Sequence, residues 1–107
     1  MATDAEFMIY VADQVEGAGA ITYRKMFGEY ALYCDGKVVA LVCDDRLYVK
    51  PTEEGRRFAG EIDEAPPYPG AKPHLLLQDR IDDRDWLCEL VRITARALPP
   101  PKPKKKR

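Results

Sequence analysis

Long apolar runs are missing from this 107-residue chain. No stretch reaches the roughly 18 residues a membrane-crossing helix needs, and no basic segment leads into an apolar one near the start, so neither a helical anchor nor a secretory leader is expected. The expected compartment is the cytoplasm. Cysteine is scarce and odd in number: Cys34, Cys43 and Cys88 are far apart and form no CxxC pair, which provides neither a disulfide framework nor a zinc signature. They read as small buried hydrophobes, with a redox or metal role for Cys34 or Cys88 as the alternative. Histidine is almost absent. His74, the single one, lies between Pro73 and a leucine run without a partner that would make it a general base. Acids, bases, nucleophiles and metal ligands do not recur at a working spacing, so the expectation is no catalytic residue, no cofactor, no metal and no enzyme.

An excess of positive charge is also lacking outside the C-terminus. Five basic residues (Lys102, Lys104, Lys105, Lys106 and Arg107) sit in the closing PPPKPKKKR, which leaves 12 basic against 18 acidic residues in the rest. The body therefore carries a net −6 and the tail +5. An acidic body is a poor match for a phosphate backbone, so contact with nucleic acid or another anionic partner is expected only through those five tail residues, if at all. A solubilising role for the tail is the other reading.

What is present is strand signal. From Arg24 to Lys50 the chain is dominated by Tyr, Val and Leu, with Asp35-Gly36 between two apolar runs, the strongest short hairpin signal. A two-residue turn there sets Cys34 opposite Lys37, Tyr33 opposite Val38, Leu32 opposite Val39, Ala31 opposite Ala40 and Tyr30 opposite Leu41. Tyr30, Leu32, Val39 and Leu41 then share one face, and Ala31, Tyr33, Val38, Ala40 and Val42 the other. Both faces are apolar, so both are expected to be covered, with a second copy of the chain as one candidate cover. A second turn at Asp44-Asp45 launches Arg46 to Lys50, and Pro51 ends that strand because it has no N–H to donate. Ile21 to Phe27 supplies a further strand, with Gly28 as the break.

The flanks read as helices. Thr3 and Glu6 have capping-box spacing before a helix from about Asp4 to Glu16, whose Phe7, Met8, Val11, Ala12 and Val15 form one apolar face. Gly17 and Gly19 stop it. Glu53 to Gly60 is a short charged helix anchored by Phe58, Ala65 to Pro73 an irregular proline-rich loop, and His74 to Gln78 a buried strand. Asp82 or Asp83 caps a last helix reaching about Leu98 on a stripe of Trp86, Leu87, Leu90, Val91, Thr94, Ala97 and Leu98. Three prolines then end it. The length suits one domain, able to bury roughly 60–68% of its unfolded surface. The fold expected is α+β: an N-terminal helix, a four-stranded meander plus a fifth strand, and a C-terminal helix packed on the sheet over residues 1–98. Residues 99–107 read as a basic disordered tail.

Three groups remain as site candidates. Glu61, Asp63 and Glu64, or Asp82, Asp83 and Asp85, could be offered as metal ligands, but the first lie in a loop and the second where capping calls for Asp. Tyr30, Tyr33 and Tyr48 could stack on bases, yet they lack the interleaved Lys and Arg of such platforms and read as core or interface. Met26, Phe27, Gly28, Glu29 and Tyr30 form a candidate interaction loop, or a place where Gly28 lets a strand bend.

Met26-Phe27-Gly28, Tyr30, Leu32-Tyr33, Asp35-Gly36-Lys37, Ala40-Leu41-Val42, Asp44-Asp45, Leu47-Tyr48 and Lys50 together resemble the N-terminal domain of the TfoX/Sxy family, over roughly Ala5 to Leu98. Where family members often carry Gly-Gly-Tyr-Gly, this chain has Gly28-Glu29-Tyr30-Ala31. The resemblance implies a two-layer α+β domain similar to secretion chaperones, without catalytic residues. It further implies a bacterial regulatory domain that acts by contact with a protein partner, such as a cyclic-AMP-responsive transcription regulator in competence control. Full-length members carry a second domain beyond the point where this chain ends.

Overall fold

The structure is a computed structural model and describes residues 3–100. Helix α1 (Ala5–Gln14) and a 3-10 turn (Glu16–Ala18) lead into a meander of β1 (Ile21–Met26), β2 (Glu29–Cys34), β3 (Lys37–Cys43) and β4 (Arg46–Val49). Then follow α2 (Glu53–Ala59), the two-residue β5 (Glu64–Ala65), β6 (His74–Leu77), a 3-10 turn (Asp79–Asp82) and α3 (Arg84–Ala97). Every neighbouring pair is antiparallel, in the order β1-β2-β3-β4-β6-β5. The α+β class, the meander and the two terminal helices match the sequence reading. A sixth strand exists because Glu64 and Ala65 pair with Leu75 and His74.

The three meander loops share one backbone solution. Each has two residues, both at positive φ: Phe27 (53°) and Gly28 (83°), Asp35 (54°) and Gly36 (84°), Asp44 (54°) and Asp45 (58°). Positive φ at both positions matches the right-handed twist of the strands, aspartate tolerates that region better than most residues, and here the Asp35 and Asp45 carboxylates are anchored to distant backbone. Asp35 Oδ1 accepts from the Ala20 N–H at 2.9 Å, and Asp45 Oδ1 from the Asp4 N–H at 2.7 Å. Phe27 therefore belongs to a turn, not to the first strand. Gly36→Val is expected to destabilise by about 1–2 kcal/mol, since a β-branched residue resists φ near 84°. Urea unfolding that shows a loss below about 0.5 kcal/mol would contradict the turn.

The expected β2–β3 register holds for two pairs and then slips. Cys34 faces Lys37 and Tyr33 faces Val38, but Leu32 faces Ala40, Ala31 faces Leu41 and Tyr30 faces Val42. Val39 is the extra residue of a β-bulge, which lets it and Ala40 both enter the core although they are consecutive. The Val39 carbonyl accepts from the Lys50 N–H at 2.8 Å. The faces read from sequence are corrected accordingly: Ala40 and Val42 join Tyr30 and Leu32, while Leu41 joins Ala31 and Tyr33.

The helices cover the first of these faces. Met8 and Val11 of α1, its C-cap Val15, and Leu87, Leu90 and Val91 of α3 are fully buried against Leu32, Val42, Leu47, Val49, Leu75 and Leu77. Burying each such side chain stabilises by about 1.5–3 kcal/mol relative to exposure. Along α3, Cys88 and Ala95 turn inward and Ala97 outward, which rotates the predicted stripe slightly. Trp86 is held between Phe58, stacked at 5.7 Å, and the Arg80 guanidinium at 3.8 Å. At the far end, Lys37 Nζ donates to the Ala95 and Leu98 carbonyls at 2.6 and 3.1 Å, satisfying groups that a helix end leaves without partners.

The capping box at Thr3 is replaced by a simpler cap. Asp4 is the N-cap of α1 and accepts from the Glu6 N–H at 3.1 Å. Thr3 instead donates its hydroxyl to Glu29 and to the Val42 carbonyl, crossing to the sheet. Thr52 and Asp83 cap α2 and α3.

Candidate functional site

The second face of the sheet carries no helix. Ala31, Leu41, Cys43 and Tyr48 project there, Leu41 and Cys43 because of the bulge, and Ala31, Cys43 and Tyr48 are buried without belonging to the helix-side core. The proline-rich segment after β5 folds back over part of them. Pro67 is buried by that contact, whereas the next residue, Tyr68, is 56% exposed. Between this segment and the β1–β2 turn lies a groove of about 400 Å³, floored by Leu41 and Cys43 and walled by Met26, Phe27, Pro67 and Tyr68. Met26 is 46% exposed and Phe27 wholly so.

The five residues of the candidate interaction loop separate into three kinds. Tyr30 is a core residue, packed edge-on against Tyr23 with ring centroids 5.7 Å apart. Gly28 and Glu29 pin the turn. The Gly28 carbonyl accepts from the Thr3 N–H at 3.0 Å, and Glu29 Oε1 accepts from the Thr3 hydroxyl and, at 3.0 Å, from the Asp44 N–H. Met26 and Phe27 are left to face solvent above the groove. Phe27 is the anomaly, because a bulky side chain rarely adopts a left-handed backbone and here no packing compensates it. Backbone strain and full aromatic exposure thus coincide at this one residue. Leu41, Cys43, Pro67 and Tyr68 escaped the sequence reading because the groove depends on the bulge and on where the proline-rich segment lands.

Of the other candidates, Glu64, Asp82, Asp83 and His74 have structural partners. Glu64 accepts a two-pronged contact from Arg56 at 2.9 and 3.1 Å, which lowers its pKa from the ordinary carboxylate value. Asp83 caps α3, Asp82 accepts from the Tyr10 hydroxyl, and His74 Nδ1 lies 2.8 Å from the Lys72 carbonyl. Tyr48 is buried and Tyr33 half-buried on the second face. Among the described residues no group of three or more His, Cys, Asp or Glu could hold a metal ion. All three cysteines are free and buried, with Cys34 and Cys88 directing their thiols toward the Ala18 and Gln14 carbonyls. The tail residues Lys102, Lys104, Lys105, Lys106 and Arg107 lie outside the described residues.

Chemically, the groove suits an apolar side chain. Glu29, its one ionisable carboxylate, is already committed to Thr3 and Asp44. Cys43 on the floor is pushed up to about 11, first by burial and then by the negative charges of Glu29 and Asp44. A thiol held neutral in the fold contributes stability that is complete below its ordinary value of 9.0 and is lost as pH rises through about 11. The stability advantage of the wild type over Cys43→Ala is therefore expected to narrow across that window in urea titrations. An advantage that widens with pH would contradict the burial.

No helix among the described residues is long and apolar enough to cross a membrane. The chain is 45% identical over 105 residues to an "Uncharacterized 12.7 kDa protein in trpE 5'region" of Spirochaeta aurantia, an alignment spanning 98% of this chain and 91% of that protein. Residues 13–98, from the end of α1 through α3, match the TfoX N-terminal domain, a family of non-catalytic domains. With the meander, its three tight turns and the closing helix all inside that span, the chain belongs to the TfoX N-terminal domain family.

Proposed function

We propose that this domain is a non-enzymatic regulatory module that acts by protein contact, with Phe27 and the groove beneath it as its docking element. The observation that carries the reading is a wholly exposed phenylalanine held at φ 53° beside an apolar cleft. Aromatic anchors flanked by a pocket concentrate binding energy at interfaces. The family supports a regulatory role, and coactivation through a transcription regulator, in the bacterial cytoplasm, is the form of it proposed. The test replaces Phe27 with a photo-crosslinking phenylalanine analogue in living source cells and identifies what is captured. A transcription regulator captured at position 27, but not from a control position such as Ile9, is expected. Capture indistinguishable between the two positions would overturn the proposal. A second copy of the chain is the competing occupant, and self-crosslinks at Phe27 would assign the groove to a homodimer.

The charge division between body and tail favours a second reading: association with nucleic acid through the last residues. Duplex-DNA binding that weakens with salt and vanishes when Pro99 to Arg107 are removed would support it. Binding unaffected by either change would end it.

A further inference from the structure

The sheet has two unlike edges. One is closed by β5, only two residues long, whereas the other is β1, six residues whose last five, Thr22 to Met26, are all exposed. A strand this long at an edge presents a row of backbone donors and acceptors to any extended chain, and such edges are normally shortened, bulged or covered. Here the protection is a pair of charges at its centre, Arg24 and Lys25. By register with Ala31 and Tyr30 they flank both sides of the sheet, Arg24 toward the groove face and Lys25 toward the helix face. Among the described residues neither has an ion-pair partner. They are two uncommitted cations on a body whose net charge is −6.

We infer that β1 is a site for β-augmentation by an extended acidic segment of a partner protein, which adds a seventh strand with carboxylates set beside Arg24 and Lys25. Opposite charges on neighbouring strands stabilise pairing and like charges oppose it, so the strand admits an acidic partner and rejects a basic one. The same charges disfavour a second copy at this edge: pairing β1 with β1 across a two-fold axis gathers four cations in the middle of the ladder. The strand supplies main-chain affinity, the cations supply selection, and neither uses Phe27, so this site stands apart from the groove.

The probe is a capped octapeptide of β-branched residues with two consecutive glutamates at its centre, compared with the same peptide carrying lysines there. In amide-resolved NMR on the full chain, the glutamate peptide is expected to shift the Ile21–Met26 amides and slow their hydrogen exchange, and the lysine peptide to leave them unchanged. The double variant Arg24→Glu, Lys25→Glu alters exposed side chains only; it is expected to weaken the glutamate peptide by about tenfold, the size two reversed surface pairs give, and to gain the lysine peptide. Undisturbed β1 amides, equal response to the two peptides, or shifts confined to the Phe27 groove would each overturn the inference, and each would leave the docking groove standing.

Discussion

Truncating Leu47 to alanine is expected to lower stability by about 3–4 kcal/mol, within the range for fully buried leucines that leave an uncollapsed cavity. Leu47 is 0% exposed on the central strand β4, flanked on the helix-side face by Val42 of β3 and Leu77 of β6. Strands on both sides hold the surrounding backbone, so the hole has little means of closing. For a domain of about 100 residues each kcal/mol moves the melting temperature by roughly 4–8 °C, so a drop of about 15 °C or more is anticipated. Ile9, 57% exposed on α1, is the matched control, and its truncation should change stability by less than about 0.5 kcal/mol. Denaturant unfolding of both variants checks the pair. A loss below about 1 kcal/mol at Leu47 would mean that the core lies elsewhere.

Phe27→Asn is expected to move stability and binding in opposite directions. Asparagine enters the left-handed region at far lower cost than phenylalanine, and Asn-Gly is the preferred pair for this turn, so thermal unfolding should rise by the equivalent of about 0.5–1 kcal/mol. Phe27 has no packing to lose, being wholly exposed. Capture of the protein partner should fall by about 30-fold or more, as when a central aromatic anchor is removed. Gain of stability with loss of binding is the signature of a residue kept for contact at the expense of the fold. Lower stability would instead mean that Phe27 packs against the domain, and unchanged capture would remove it from the docking element.

Residue patterns close in sequence were legible before any coordinates. Asp35-Gly36 and Asp44-Asp45 announced their turns because positive φ is a property of two adjacent residues, and Leu87, Leu90 and Val91 announced their helix because periodicity needs only a few turns. Thr3 shows where such patterns mislead. Its spacing to Glu6 suits a capping box, yet Asp4 takes the cap and Thr3 turns to Glu29 and Val42, a contact made across 39 residues that no local pattern encodes. Phe27 misled for the opposite reason: an aromatic residue reads as strand, and only the pinning of Gly28 and Glu29 by the N-terminus explains how it is kept in a turn.

The alternation of apolar residues determined by itself that there would be a sheet with two greasy sides between two terminal helices, since burial energy scales with side chains whose order is written in the chain. Which side chains share a side was decided by tertiary structure. One extra residue at Val39 moves Leu41 from the helix side to the groove side, and its carbonyl answers to Lys50, beyond the next strand. The same holds for Tyr68 over the groove and for β1 left bare at the edge. Both follow from where β6 returns to pair with β4, a choice among strand partners made by the whole fold's free energy rather than by any segment alone.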